Sequence, residues 1–180
     1  MAKTYKLVTL ILLLSFVGLF TTNFFIDNNA LLSLTITFGV CAYHLLMRYV
    51  VGLLVNLTMK KVNPSNLWFR EKSFEKSLYS LIKVKKWKRF MPSFSPDSFD
   101  LKKNSIQDII LTTCRSEMVH EIIIVLSFLP ILLYIPFGTL AVFISTSIIS
   151  ALVDAIFVVM QRYNRPRLLK LQNKLNIIRQ

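Results

Sequence analysis

Glycine is nearly absent, with four residues in 180. None of them sits in a Gly-rich turn, so the chain has no loop of the kind that cradles nucleotide phosphates. Cysteine and histidine are as scarce, two of each: Cys41, Cys114, His44 and His120. Cys41 falls inside an apolar run and Cys114 beside a basic stretch, so no disulfide is expected. The four residues are also too scattered to give a zinc-ligand spacing. Neither a metal nor a bound organic cofactor is predicted. Acid is scarce too, with nine Asp and Glu against 22 Lys and Arg, a formal net charge of +13. Yet 54% of the residues are hydrophobic, so charge and hydrophobicity must occupy separate stretches. Apolar runs of about 20 residues are more than a soluble domain of this size needs, and they point to a membrane protein. The basic excess then faces an anionic lipid surface, and nucleic acid is not the expected partner.

The runs predict an all-α, polytopic membrane protein forming one membrane domain. Four transmembrane helices are expected at about 7–25, 30–59, 118–137 and 139–160. A basic loop spans 60–107, and interfacial or amphipathic helices lie in that loop and at 161–180. The first run is read as a span, because no small-residue cleavage pattern follows Phe20. The second is longer than a crossing of a roughly 30 Å hydrocarbon core requires, so it should tilt or project. Turns at 26–29 and 134–138 contain no Lys or Arg, whereas the N-terminal segment, the loop and the tail hold two, twelve and six. That asymmetry predicts a multi-pass topology with both termini and the loop cytoplasmic.

Within the loop, Asn63–Asn66 reads as a turn. Phe74, Leu78 and Leu81 recur at helical spacing, as in a helix lying on a membrane surface. Lys83 to Phe90 is a basic, aromatic-interleaved octamer of the type that anchors to anionic lipid. Met91 to Asp97, with two prolines, should break the helix, and the Ser105 hydroxyl should cap the next one. In the tail, Leu168, Leu171, Leu175 and Ile178 share a helical face, with Lys170, Lys174 and Arg179 elsewhere.

Chemistry concentrates in three places. Gln161 to Arg167 reads Gln-Arg-Tyr-Asn-Arg-Pro-Arg, with three guanidinium forks suited to phosphate or carboxylate. It suits either a charged anchor at a helix end or a site for an anionic or hydroxyl-rich head group. Pro166 disfavours helix at Arg165, so a turn is predicted there. Glu117 and His120 lie one turn apart on a helix at the membrane boundary. A carboxylate so placed can orient an imidazole and raise its basicity, though such a charge cluster also occurs without catalysis. His44 and Arg48 share a helix face inside the second run, and Asp154 lies in the fourth. Ionisable groups at that depth pair or line a cavity, so these three are candidates for a structural ion pair or a pocket.

The stretches Lys86-Trp87-Lys88, Cys114 to His120 and Gln161 to Leu168 resemble the glycosyl-4,4'-diaponeurosporenoate acyltransferase family. The likeness covers roughly residues 60–170, and the His44–Arg48 helix lies outside it. These are bacterial membrane enzymes that esterify a fatty acyl chain onto the sugar of a carotenoid glycoside. The resemblance implies a cell-membrane acyltransferase that moves an acyl group to a hydroxyl of a glycosylated or other polar-headed lipid at the inner leaflet. Its partners would be a membrane lipid and an acyl donor, such as acyl-CoA. His120 would be the general base and Glu117 would hold its ring. Arg162, Arg165 and Arg167 would bind donor phosphates or stabilise carbonyl charge. Gln161 and Asn164 would contact sugar hydroxyls, Trp87 would lie against the sugar or the acyl chain, and Arg115, Lys88 and Tyr163 would complete the substrate contacts. A non-enzymatic lipid-binding or scaffolding protein, or another lipid-modifying transferase such as a methyltransferase, remains the alternative.

Overall fold

The computed structural model describes residues 2–26, 28–91, 96–138 and 140–178. Among the described residues there are helices and no strands, and four helical stretches are long and apolar enough to cross a membrane. α1 (Ala2–Phe25) and α2 (Asn29–Thr58) form an antiparallel hairpin. Asn28 starts α2, its side chain accepting from the Ala30 and Leu31 N–H groups. α1 packs mainly on α2, where the Tyr5 hydroxyl donates to the Leu45 carbonyl at 2.6 Å. Leu7, Leu14 and Phe20 remain exposed, as suits a helix with lipid around it. Gly39 permits the close approach, because a Cβ there would lie 2.8 Å from the Phe16 ring.

The basic loop is a chain of short turns. Asn63 to Asn66 closes as expected, with the Asn66 N–H on the Asn63 carbonyl. A 3-10 turn at Leu67–Phe69 follows, then α3 (Glu75–Leu81) and α4 (Val84–Trp87). The helical face expected from Phe74 to Leu81 is thus a short helix, and Phe74 and Leu81 themselves are exposed. Lys83 joins α3 to α4 with φ at +52°, a left-handed conformation that costs a non-glycine residue about 1–2 kcal/mol. The sharp reversal drives Val84 into full burial against Tyr79 and Tyr163. Of the predicted helix break, residues 92–95 lie outside the described residues, and a 3-10 turn resumes at Pro96–Phe99.

α5 (Ile106–Leu126) starts where Ser105 accepts the Asp108 N–H at 3.1 Å, so the third long helix begins well before residue 118. Its α-helical part stops at Leu126. A 3-10 segment, Leu129–Leu133, and the single turn of α6 (Tyr134–Phe137) complete the stretch. Pro130 accounts for the change, since it has no N–H to continue the α-helical ladder. α7 (Leu140–Ile178) is one helix of 39 residues, about 58 Å long. The turn predicted at Arg165–Pro166 does not occur, because Pro166 lies inside α7. An interior proline costs about 3 kcal/mol. The compensation is that a continued helix keeps Arg162 and Arg165 on one face, where both meet α5. α5 packs along α7, and α2 packs on α5, with Met47, Val51 and Val55 meeting Ile123.

Gly39→Leu is expected to force α1 away from α2, costing about 1–3 kcal/mol as overpacking does. Thermal unfolding in detergent should show the lowered midpoint.

Candidate functional site

Helices α2, α5 and α7 bring a polar cluster into the bundle between their apolar faces. Asp154, 1% exposed, stands at its centre. One carboxylate oxygen takes the Arg48 guanidinium, and the other lies 2.8 Å from His120 Nδ1. Arg48 also donates to the His44 carbonyl and to Ser150 Oγ, each at 2.8 Å. Ser150 Oγ lies 3.1 Å from His44 Nδ1 and 3.2 Å from Ser127 Oγ. Arg48 thus pairs with Asp154, His44 joins through Ser150 and its own carbonyl, and the cluster links α2, α5 and α7. An ionised carboxylate only accepts hydrogen bonds, so opposite one His120 donates from Nδ1, and in the neutral ring that tautomer leaves the Nε2 lone pair free. Phe157 stacks on the ring at 4.8 Å and 10°, which fixes its plane. His120 Nε2 has no hydrogen-bond partner among the described residues, and the side chain is 20% exposed. His44 differs, being buried with Nε2 enclosed and unpartnered.

Glu117 does not hold His120. Its two oxygens are taken by Arg162, at 2.5 Å, and by Arg165. The helix spacing put both carboxylate and imidazole on the α5 face. The carboxylate opposite the ring is instead Asp154, which the packing of α7 on α5 brings there. Arg162 also bonds Glu75, at 2.6 Å, and the carbonyls of Trp68 and Arg70. Arg165, 1% exposed, donates to Thr113 and the Phe69 carbonyl and stacks on the Phe69 ring. Two cations and two carboxylates form a closed, neutral set. Neither guanidinium is free to receive a phosphate, which corrects the role expected for Arg162 and Arg165. Arg115 is likewise engaged, donating to the Met59 and Lys60 carbonyls at the end of α2, where a cation complements the helix dipole.

Of the remaining candidates, Trp87, Lys88, Asn164 and Arg167 gather around Tyr163. Tyr163 is buried edge-on to Tyr79. The Arg167 guanidinium lies 3.4 Å from its ring centroid and the Lys88 ammonium 4.8 Å away. Lys88 also donates to Asn164 Oδ1 at 2.7 Å, and burial, followed by the charge of Arg167, holds its ammonium below the usual lysine range. Trp87 packs beside Tyr79 and Tyr163 and gives its indole N–H to the Ile82 carbonyl, so it supports the fold of the loop. Gln161 is buried with its amide oxygen unpartnered.

Sequence reasoning passed over Ser150, Ser127, Phe157, Glu75 and Thr113. Ser150 had a signal, since it lies one turn before Asp154 as His44 does before Arg48. Glu75 had a fainter one, as an acid among twelve loop cations.

The family model described as glycosyl-4,4'-diaponeurosporenoate acyltransferase matches residues 65–174. No curated protein and no solved structure matches the chain.

Glu117→Gln is expected to destabilise the protein by about 3–5 kcal/mol, because it leaves two buried guanidinium groups short of a countercharge. Detergent melting curves check this; an unchanged midpoint would mean that the clamp adds nothing to stability.

Proposed function

The chain belongs to the glycosyl-4,4'-diaponeurosporenoate acyltransferase family, and from that premise we propose that it esterifies a hydroxyl of a glycosylated or other polar-headed lipid with a fatty acyl group, using His120 as general base. The enzyme is an acyltransferase; the acceptor, the leaflet and the roles of individual residues are our reading. The observation that carries it is the 2.8 Å contact of Asp154 with His120 Nδ1 on a ring whose Nε2 is unpartnered and reachable from outside. Acyl transfer to an alcohol needs such a nitrogen, and a structural histidine would bury or satisfy it.

In this mechanism Nε2 takes the acceptor O–H proton as the acceptor oxygen bonds to the acyl carbon. The bond from that carbon to the leaving group then breaks, and the proton passes from Nε2 to the leaving group. The imidazole ends neutral, as it began. Asp154 holds the tautomer and offsets the charge while the ring is protonated. Arg48 sets an opposite charge in contact with the Asp154 carboxylate. Arg48 and Asp154 together are neutral, which limits the cost of keeping both inside an apolar bundle. His44 and Ser150 position Arg48.

The charge asymmetry of the chain supports placing this chemistry at the inner leaflet of the cell membrane. Segments rich in Lys and Arg adjoin the inner ends of the spans, and the turns at 26–29 and 134–138 have none.

His120→Ala should abolish acyl transfer while the protein still inserts and melts as the wild type does. Asp154→Asn should lower turnover by roughly 10²–10⁴-fold, the range of a misdirected general base. Mass spectrometry of lipids from cells carrying each variant would show loss of the acylated product; wild-type amounts with His120→Ala would overturn the mechanism.

A further inference from the structure

We infer that the cleft between the α3–α4 turn and α7 binds the phosphate groups of the acyl donor. The inference rests on the acyl-transfer reading above and supplies the donor's class, a phosphate-bearing acyl thioester. The cleft has a volume of about 520 Å³, within the range of small-molecule sites. Lys83, Lys85 and Lys86 line it from the turn and Arg167 and Lys170 from α7, with Tyr163 also in the wall. The left-handed backbone at Lys83 and the complete burial of Val84 turn these lysines towards α7. Arg167 and Lys170 follow one another on the same helix face.

Like charges gathered this closely repel one another unless an anion joins them. Among the described residues lining the cleft the only acid is Glu71, and it already faces Lys76 at 4.0 Å. Among the described residues, Lys83, Lys85, Lys86 and Lys170 have no carboxylate partner. The contrast with Arg162 and Arg165, one helical turn away and fully neutralised, is direct: there the chain supplies matching anions, and here, among the described residues, it supplies Glu71 alone. A surface anchor to anionic lipid would be served by a basic strip on one exposed segment. These cations instead converge from two separate elements around a concavity walled in part by Tyr163.

Reach agrees with the chemistry. Asp154, which holds the proposed base, and Tyr163, which lies in the cleft, are both on α7, nine residues or about 14 Å of helix rise apart. A donor held by its phosphates in the cleft needs a flexible arm of that order to present its thioester carbonyl to an acceptor at His120. Attack on that carbonyl breaks the C–S bond, and the thiolate leaves with the proton from Nε2.

The test uses the full-length protein in phosphatidylcholine nanodiscs, with coenzyme A as the probe. Wild type should bind it in a salt-sensitive manner. The combined Lys85→Glu, Lys86→Glu and Lys170→Glu variant should bind at least about tenfold more weakly, a change of about 1.4 kcal/mol. The glutamine versions at the same three positions should fall between, which guards against misfolding by charge reversal. His120→Ala should bind coenzyme A as wild type does, so failure of the catalytic mechanism and failure of this site give different results. Unchanged binding by the glutamate variant would overturn the inference. So would saturable occupation by phosphatidylglycerol with no binding of coenzyme A, which would make the cleft a lipid head-group site.

Discussion

Glu117 gripping Arg162 and Arg165 is the interaction on which the rest of the architecture depends. It ties α5 to α7 in the interior. Through the other donors of the same guanidinium groups it also ties both helices to the loop, at Trp68, Phe69, Arg70 and Glu75. Removing water from these charges is expensive, and the expense is met only because each is hydrogen-bonded to an opposite charge or a carbonyl. The loop has almost no regular structure of its own, so the clamp fixes where α3 and α4 lie. That placement in turn sets the position of the lysines after Leu81.

Charge is arranged in three tiers along α7. At Asp154 a carboxylate stands between a guanidinium and an imidazole, so its neighbourhood gains net positive charge only when the ring is protonated. At Arg162 and Arg165 the charges cancel. From Arg167 onward the described residues of the face, Arg167, Lys170 and Lys174, are basic and have no carboxylate partner. The sequence runs from deep and balanced to exposed and positive over a single rigid helix.

How much of this could be read beforehand depended on whether local spacing or three-dimensional neighbours decided the outcome. Apolar run length exposed the four long helices, and the cap at Ser105 followed from residue type. The i, i+4 pair of His44 and Arg48, with Asp154, was visible because charge is so rare inside apolar runs. The partner of His120 was not visible. Spacing pointed to Glu117, and the pairing with Asp154 rests on helix packing that no spacing rule contains. Arg162 and Arg165 looked like ligand-binding forks because their donor geometry is the same whether the acceptor is a phosphate or the chain's own carboxylates and carbonyls. Pro166 misled for a related reason. Its local preference is real, but about 3 kcal/mol of backbone penalty is small beside the contacts on either side of it.

The unbroken course of α7 has one more implication. With Asp154 and Arg167 on the same helix, their separation is a property of backbone rise, about 20 Å, and no loop can adjust it. A molecule touching both ends therefore meets a gauge. Its polar linker must match a set length, while hydrocarbon beyond the reacting carbon can vary in extent without disturbing either contact. Such an enzyme would be strict about the handle of its donor and lenient about the tail.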